Sequence, residues 1–262
     1  MSKDEREPLF ASERRRKILE MIETHKKVTV PQLSELFSVS AATIRNDLRE
    51  LENANLLTRT HGGAIPTKTG MELDSLAKGG RSHKEKTLIG REALKLVEDG
   101  DTIALDTGTT TLQLARLLGK RRNLTVVTND IVIARYLENF ETLNVVLMGG
   151  TIRRNFHCTV GLEGIRMLEE IAVDKAFMAT NSFSLLRGAT TPDINQAETK
   201  RAMMKTANRV ILLCDSTKFG HDSFMRFGEV TDFDVIVSDG GMSQELVKEL
   251  EIKGIEVIIA KD

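Results

Sequence analysis

Cysteine is nearly missing from this 262-residue chain: Cys158 and Cys214 stand far apart, and no His cluster accompanies either. A disulfide framework or a zinc site needs more than that, so neither is expected and no cofactor is implied. A reduced, cytoplasmic setting fits. Also lacking is any run near the ~18 apolar residues that span a bilayer. The charged start, Lys3-Asp4-Glu5-Arg6-Glu7, has no apolar stretch of the signal-peptide kind. No membrane partner is expected. Finally, there is no excess of one charge. The net charge is −1, with 11 Lys+Arg against 10 Asp+Glu up to Pro66 and 26 against 28 beyond it. Any contact with nucleic acid must therefore come from local placement rather than bulk charge.

The length exceeds the usual ~100–150 residues of one domain, so a small domain plus a larger one is expected. Residues 12–65 read as three short helices and a hairpin. Ile18, Leu19 and Ile22 stripe the first helix. Thr29 and Gln32 form a Thr-x-x-Gln capping box for a second helix, with Pro31 in its first turn, where a missing N–H costs little. Leu33, Leu36 and Phe37 are expected to face inward. A tight Ser38-Val39-Ser40 turn follows, and Ser40 caps a third helix running to about Ala54.

Beyond Lys84, helical patterns alternate with apolar runs at Thr102–Leu105, Leu124–Thr128, Val145–Met148, Ala176–Ala179, Val210–Cys214, Val235–Val237 and Val257–Ile259. Near-continuous apolar strands between helices predict a buried, mainly parallel sheet. The expected class is α/β. A small winged helix-turn-helix domain (12–66) is followed by a linker (67–80). A larger domain (81–262) then holds a mainly parallel sheet flanked by helices.

On the third helix Ile44, Leu48 and Leu51 recur at i, i+4 and i+7 and mark the buried face. A step of roughly 100° per residue puts Ala42, Asn46, Arg49 and Asn53 opposite, flanked by Thr43 and Arg45. Arg and Asn carry the forked donors and acceptors that match base edges in the major groove, while Ser40 and Thr43 suit the backbone. Taken alone, the same helix also reads as an ordinary solvated one, since Asp47, Glu50 and Glu52 offset the arginines. The residues after the helix favour DNA. Leu57 to His61, then Gly62-Gly63, then Ala64-Ile65 reads as strand, two-Gly turn and strand, a wing able to lay Arg59 and His61 on phosphates.

In the larger domain Asp106-Thr107-Gly108-Thr109-Thr110-Thr111 comes straight after a strand and opens a helix. Gly108 allows close backbone approach, and hydroxyls with first-turn N–H groups can surround an anion. A Ser/Thr/Gly-rich turn also serves as a mere cap.

Ser-Val-Ser-Ala-Ala-Thr-Ile-Arg-Asn-Asp-Leu (38–48) and Arg-Thr-His-Gly-Gly-Ala (59–64) resemble the DeoR family of sugar-metabolism regulators. The likeness continues through the 105–111 loop, Val127-Thr128-Asn129, Met148-Gly149-Gly150 with Arg153, Lys200 to Met203, and Asp215 to Gly220. Asn46 departs from it, standing where the family usually has a second Arg.

The resemblance implies double-stranded operator DNA as partner, a homodimer or homotetramer, and a C-terminal domain similar to ribose-5-phosphate isomerase. That domain would bind a phosphorylated sugar or polyol through the 106–111 loop, with Thr128, Asn129, Arg153, Asn181, Lys200 and Lys218 as further effector contacts. Where the isomerases carry an Asp-x-x-Asp pair and a Glu base, this chain has Asn181, Ser184 and Gln196, none a carboxylate. No catalysis is expected. Ser182-Phe183-Ser184 also replaces the regulators' usual Gly-Ile-Asp, which bears on sugar preference.

Overall fold

The computed structural model describes residues 10–25, 27–53, 56–65 and 82–261. The chain forms two units, Met1–Arg81 and Ser82–Asp262. The expected linker and Ala54 lie outside the described residues.

In the first unit α1 (Ala11–His25), β1 (Val28–Thr29), α2 (Val30–Phe37) and α3 (Ala41–Asn53) precede the hairpin β2 (Thr58–Thr60) and β3 (Gly63–Ile65). The local signals act as read. Thr29 and Gln32 form the capping box over α2, with Pro31 in the first turn. Ser40 Oγ accepts from the Thr43 N–H at 3.1 Å and starts α3. Ile18, Ile22, Leu33, Ile44, Leu48 and Leu51 meet Leu57 and Ala64 in one core. Leu36 is a correction: it is half-exposed, because a helix of eight residues has room for few inward positions, and Leu33 with Phe37 fills them.

Two further corrections concern the wing and Asp47. Thr60 pairs with Gly63, so the two-residue turn is His61-Gly62 and Gly63 already belongs to β3. The short strand β1 pairs with β3, and a β-carbon on Gly63 would sit 1.9 Å from the Val28 carbonyl oxygen. Only glycine fits there. Asp47, expected as a solvated charge, is buried: its carboxylate accepts from Arg14 Nε at 2.6 Å and Arg15 Nε at 3.0 Å. These contacts bind α1 to the middle of α3.

The second unit is built on a large sheet. Its strands are β4 (Thr102–Leu105), β5 (Leu124–Thr128), β6 (Leu143–Leu147), β9 (Val173–Ala179), β12 (Ala207–Leu213), β14 (Val235–Asp239) and β15 (Glu256–Ala260). They lie in the order β15-β14-β12-β9-β4-β5-β6, every pair parallel. All seven apolar runs of the sequence are here. Alternate residues face opposite sides. Ile103, Leu105, Phe177 and Ile211 meet α4 (His83–Lys95), α5 (Thr109–Ala115) and α6 (Ile131–Leu137) on one face. Ala104, Ala176, Met178 and Leu212 meet α7 (Leu162–Glu169), α8 (Ile194–Lys205) and α9 (Gln244–Ile252) on the other.

Two small sheets were not legible in the sequence: the hairpin β7 (Thr151–Arg153) with β8 (Cys158–Val160), and the antiparallel β10 (Ser182–Ser184), β11 (Gly188–Thr191) and β13 (Met225–Gly228). Among the described residues no helix is long and apolar enough to cross a membrane.

The strand order decides where a ligand can go. The chain runs outward through β4, β5 and β6, then returns to the other side of β4 as β9 and runs outward again. Ligands of open parallel sheets sit at the carboxyl ends beside such a reversal.

The Asp47 contacts yield a prediction. Asp47→Ala strips a carboxylate from two guanidinium groups, one of them buried, and is expected to destabilise the N-terminal unit by about 3 kcal/mol. Urea unfolding followed by far-ultraviolet circular dichroism reads it as an earlier helical transition. A transition at the wild-type urea concentration would show that the ion pair does not hold the two helices.

Candidate functional sites

The N-terminal candidate is the outward face of α3. Ala42, Arg45, Asn46 and Arg49 are exposed and Thr43 is half-buried, while Ile44, Asp47, Leu48 and Leu51 are buried. Thus the residues read as DNA-facing are the ones left in solvent. Ser40, at the head of the helix, is exposed with its hydroxyl 2.9 Å from Thr43 Oγ1. Arg59, on β2, lies beside Glu52 of α3: its backbone N–H donates to Glu52 Oε1 at 3.0 Å, and its Nε is 3.5 Å from Glu52 Oε2. An acid thus positions the wing's cation. His61 stands at the turn and is exposed. The side chain of Asn53 lies outside the described residues.

The C-terminal candidate is the reversal point between β4 and β9. Asp106 directly follows β4 and is fully buried. Its Oδ2 accepts the Ala179 N–H at 2.9 Å and a hydrogen bond from Lys200 Nζ. Lys200 also donates to the Ala179 carbonyl at 2.9 Å. Among the described residues neither Asp106 Oδ1 nor Asn129 Oδ1, both buried, has a hydrogen-bond partner. Two bare acceptors thus line the strand ends, each costing free energy until a donor reaches it.

Along the inner side of α8, Gln196 stands one turn before Lys200, and both are buried. Thr191 Oγ1 lies 2.8 Å from Gln196 Oε1 and 3.1 Å from Asn181 Oδ1. Arg153 of β7 reaches the same place: Nη1 donates to Gln196 Oε1 at 3.5 Å, Nε is 3.6 Å from Asp193 Oδ2, and the guanidinium lies over the Phe156 ring. Asp106, Lys200, Gln196, Asn181 and Arg153 are therefore linked from strand ends to helix to hairpin.

Several residues are placed otherwise than their sequence reading suggested. A β-carbon on Gly108 would meet the Ala179 β-carbon at 2.7 Å, so loop-to-strand packing already calls for glycine there. Thr111 is buried with its hydroxyl donating to the Gly108 carbonyl, and the Thr128 hydroxyl donates to Leu105 and accepts from the Asp130 N–H. Both hold the loops rather than present a hydroxyl. Thr109 is partly exposed, and Thr110 is buried. Lys200, expected as an effector contact, is half of a buried ion pair. Lys218 is half-buried in the turn after β12. Ser184 turns to Asp222, donating at 2.6 Å.

Sequence reasoning overlooked Asp130 and its link to Thr107. Asp130 caps α6 through the Val132 and Ile133 N–H groups and accepts from the Thr107 hydroxyl at 2.7 Å. Burial pushes its carboxyl upward against those hydrogen bonds. An Asp between a strand and Ile131-Val132-Ile133 is a legible cap signal. Burial also pushes the Cys158 thiol up to about 11, so it is an inert core residue.

Comparison with known proteins identifies the family of the chain. Residues 14–69 match the DeoR-like helix-turn-helix domain, and residues 81–240 match the DeoR C terminal sensor domain. The HTH-type transcriptional regulator GolR of Listeria innocua is 33% identical, covering 97% of this chain and 100% of its own. GlpR of Haloferax volcanii, also an HTH-type transcriptional regulator, is 34% identical over 95% and 98%. The HTH-type transcriptional repressor GlcR of Bacillus subtilis is 32% identical over 97% and 98%. Two matched domains in this order, together with relatives spanning nearly the whole chain, show that it belongs to the DeoR family of DNA-binding transcriptional regulators.

Proposed function

We propose that this protein is a cytoplasmic repressor of a sugar or polyol catabolic operon. Residues 12–66 read double-stranded operator DNA, 67–80 link the parts, and 81–262 sense a phosphorylated sugar or polyol that alters operator affinity. It acts as a homodimer or homotetramer, because one winged domain covers too little DNA for tight selection. The observation that carries the sensor reading is the gathering of Asp106, Asn129, Asn181, Gln196 and Arg153 at the β4/β9 reversal, with bare buried acceptors on Asp106 and Asn129. Bare acceptors suit the hydroxyl groups of a polyol. The guanidinium of Arg153 and the N–H groups of the 107–111 loop suit its phosphate. Thr109, Thr110 and Lys218 complete the proposed contacts.

The ligand is not converted. Asn181 and Gln196 carry amides where a sugar-phosphate isomerase needs carboxylates, and the buried Asp106 is engaged by Lys200. What remains is binding. For binding to act on DNA, the ligand must favour one of two states of the protein over the other.

Two expectations arise from the sites. Arg45→Ala or Arg49→Ala should each weaken specific operator binding by about 1–3 kcal/mol. Arg59→Ala should weaken all DNA evenly and lower the salt slope by about 1. Footprinting and titrations at several salt concentrations read both effects; operator affinity unmoved by either helix variant would show that another face reads the DNA.

For the sensor, a thermal-shift panel of phosphorylated sugars and polyols on the full chain should find a stabilising compound. Arg153→Ala should bind that compound about tenfold or more weakly while holding operator as before, and product analysis should return the compound unaltered. Turnover would reinstate an enzyme, and undiminished affinity in the Arg153 variant would move the phosphate elsewhere.

A further inference from the structure

A groove of about 500 Å³ runs between α7 and α8 on the surface of the second unit. Its floor is apolar, made by Ile165, Leu168, Ile171 and Ala202, and its rim carries Glu169, Glu198, Arg201 and Lys205. The rim is evenly balanced. Glu169, Glu198 and Lys205 are exposed and form no ion pair with any described residue, whereas Arg201 spends one N–H on the Arg226 carbonyl at 2.5 Å.

The arrangement along α8 is regular. Gln196, Lys200 and Met203 face inward, while Ile194, Glu198, Arg201 and Lys205 recur at i, i+4, i+7 and i+11 on the outer side. Ile194 is itself 48% exposed. An apolar strip edged by unpaired charges of both signs suits neither DNA nor an anionic surface, each of which would call for cations alone.

We propose that this groove is the face on which two copies of the chain pair about a two-fold axis. A two-fold interface must be complementary to itself, residue i meeting j and j meeting i. Antiparallel α8 helices centred between Arg201 and Ala202 satisfy that requirement. Glu198 of one copy then faces Lys205 of the other, twice, and the small side chain of Ala202 lets the helices approach closely. The same helix holds Gln196 and Lys200 on its inner side, so one rigid element joins the sensing site to the pairing face.

The proposal rests on the proposed function only in that the regulator works as an oligomer on paired half-sites. Its test is the assembly of the full chain by sedimentation equilibrium, with melting curves confirming that each variant folds. Glu198→Lys and Lys205→Glu each place like charges opposite one another, and should raise the dimer dissociation constant by about tenfold or more. The double variant exchanges the two charges and should return it to within about threefold of wild type. A monomeric wild type overturns the proposal. So does a wild-type oligomer that all three variants leave unchanged, in which case the copies meet elsewhere and the operator and effector readings stand.

Discussion

One carboxylate ties together the strands and the helix of the proposed sensing site. Asp106 directly follows strand β4, and its Oδ2 takes the Ala179 N–H of β9 and the Lys200 ammonium of α8, partners 73 and 94 residues away. Burying an ion pair costs several kcal/mol per ion unless further hydrogen bonds complete it. Here Lys200 also donates to the Ala179 carbonyl, but Asp106 Oδ1 has no partner among the described residues. The clamp therefore fixes the two halves of the sheet against each other while leaving a polar deficit at the point where the topology opens. Asn181, Gln196 and Arg153 take their positions from it, since they follow β9, share α8, or reach α8 from β7.

The smaller unit has a corresponding device. Asp47, buried in the helix that offers Arg45, Asn46 and Arg49 to solvent, is gripped by Arg14 and Arg15 of α1. Rotation of α3 would break both contacts and expose Ile44 and Leu48. Its outward face is thus set by charge on one side and apolar packing on the other. Beside it Glu52 steadies Arg59.

Much of this was legible in the chain because the signals are local. Every strand of the large sheet announced itself as an apolar run, since strands buried on both faces leave no room for polar alternation. The Thr29–Gln32 box and the Ser40 cap involve residues three apart and formed as read. What stayed hidden was either short or distant. Strands β7, β8, β10, β11 and β13 have only three or four residues each, several of them Ser or Thr. Their order depends on tertiary contacts. The roles of Gly63 and Gly108 are set by Val28 and Ala179, and those of Lys200 and Asp47 by partners many residues away. A sequence shows a lysine or an aspartate, but whether it faces solvent or its opposite charge is decided by the fold.

On the proposed reading, one ligand held at the β4/β9 reversal and one DNA site compete for or share a state of the protein. Linkage makes that relation quantitative, because coupling between two binding events is reciprocal. The most direct test is to measure operator affinity with and without saturating ligand from the thermal-shift panel, and ligand affinity with and without saturating operator, in one buffer. Both affinities should change by the same factor, with weakening in each case for a repressor released by its effector. Ligand affinity unmoved by operator DNA would contradict the proposed coupling.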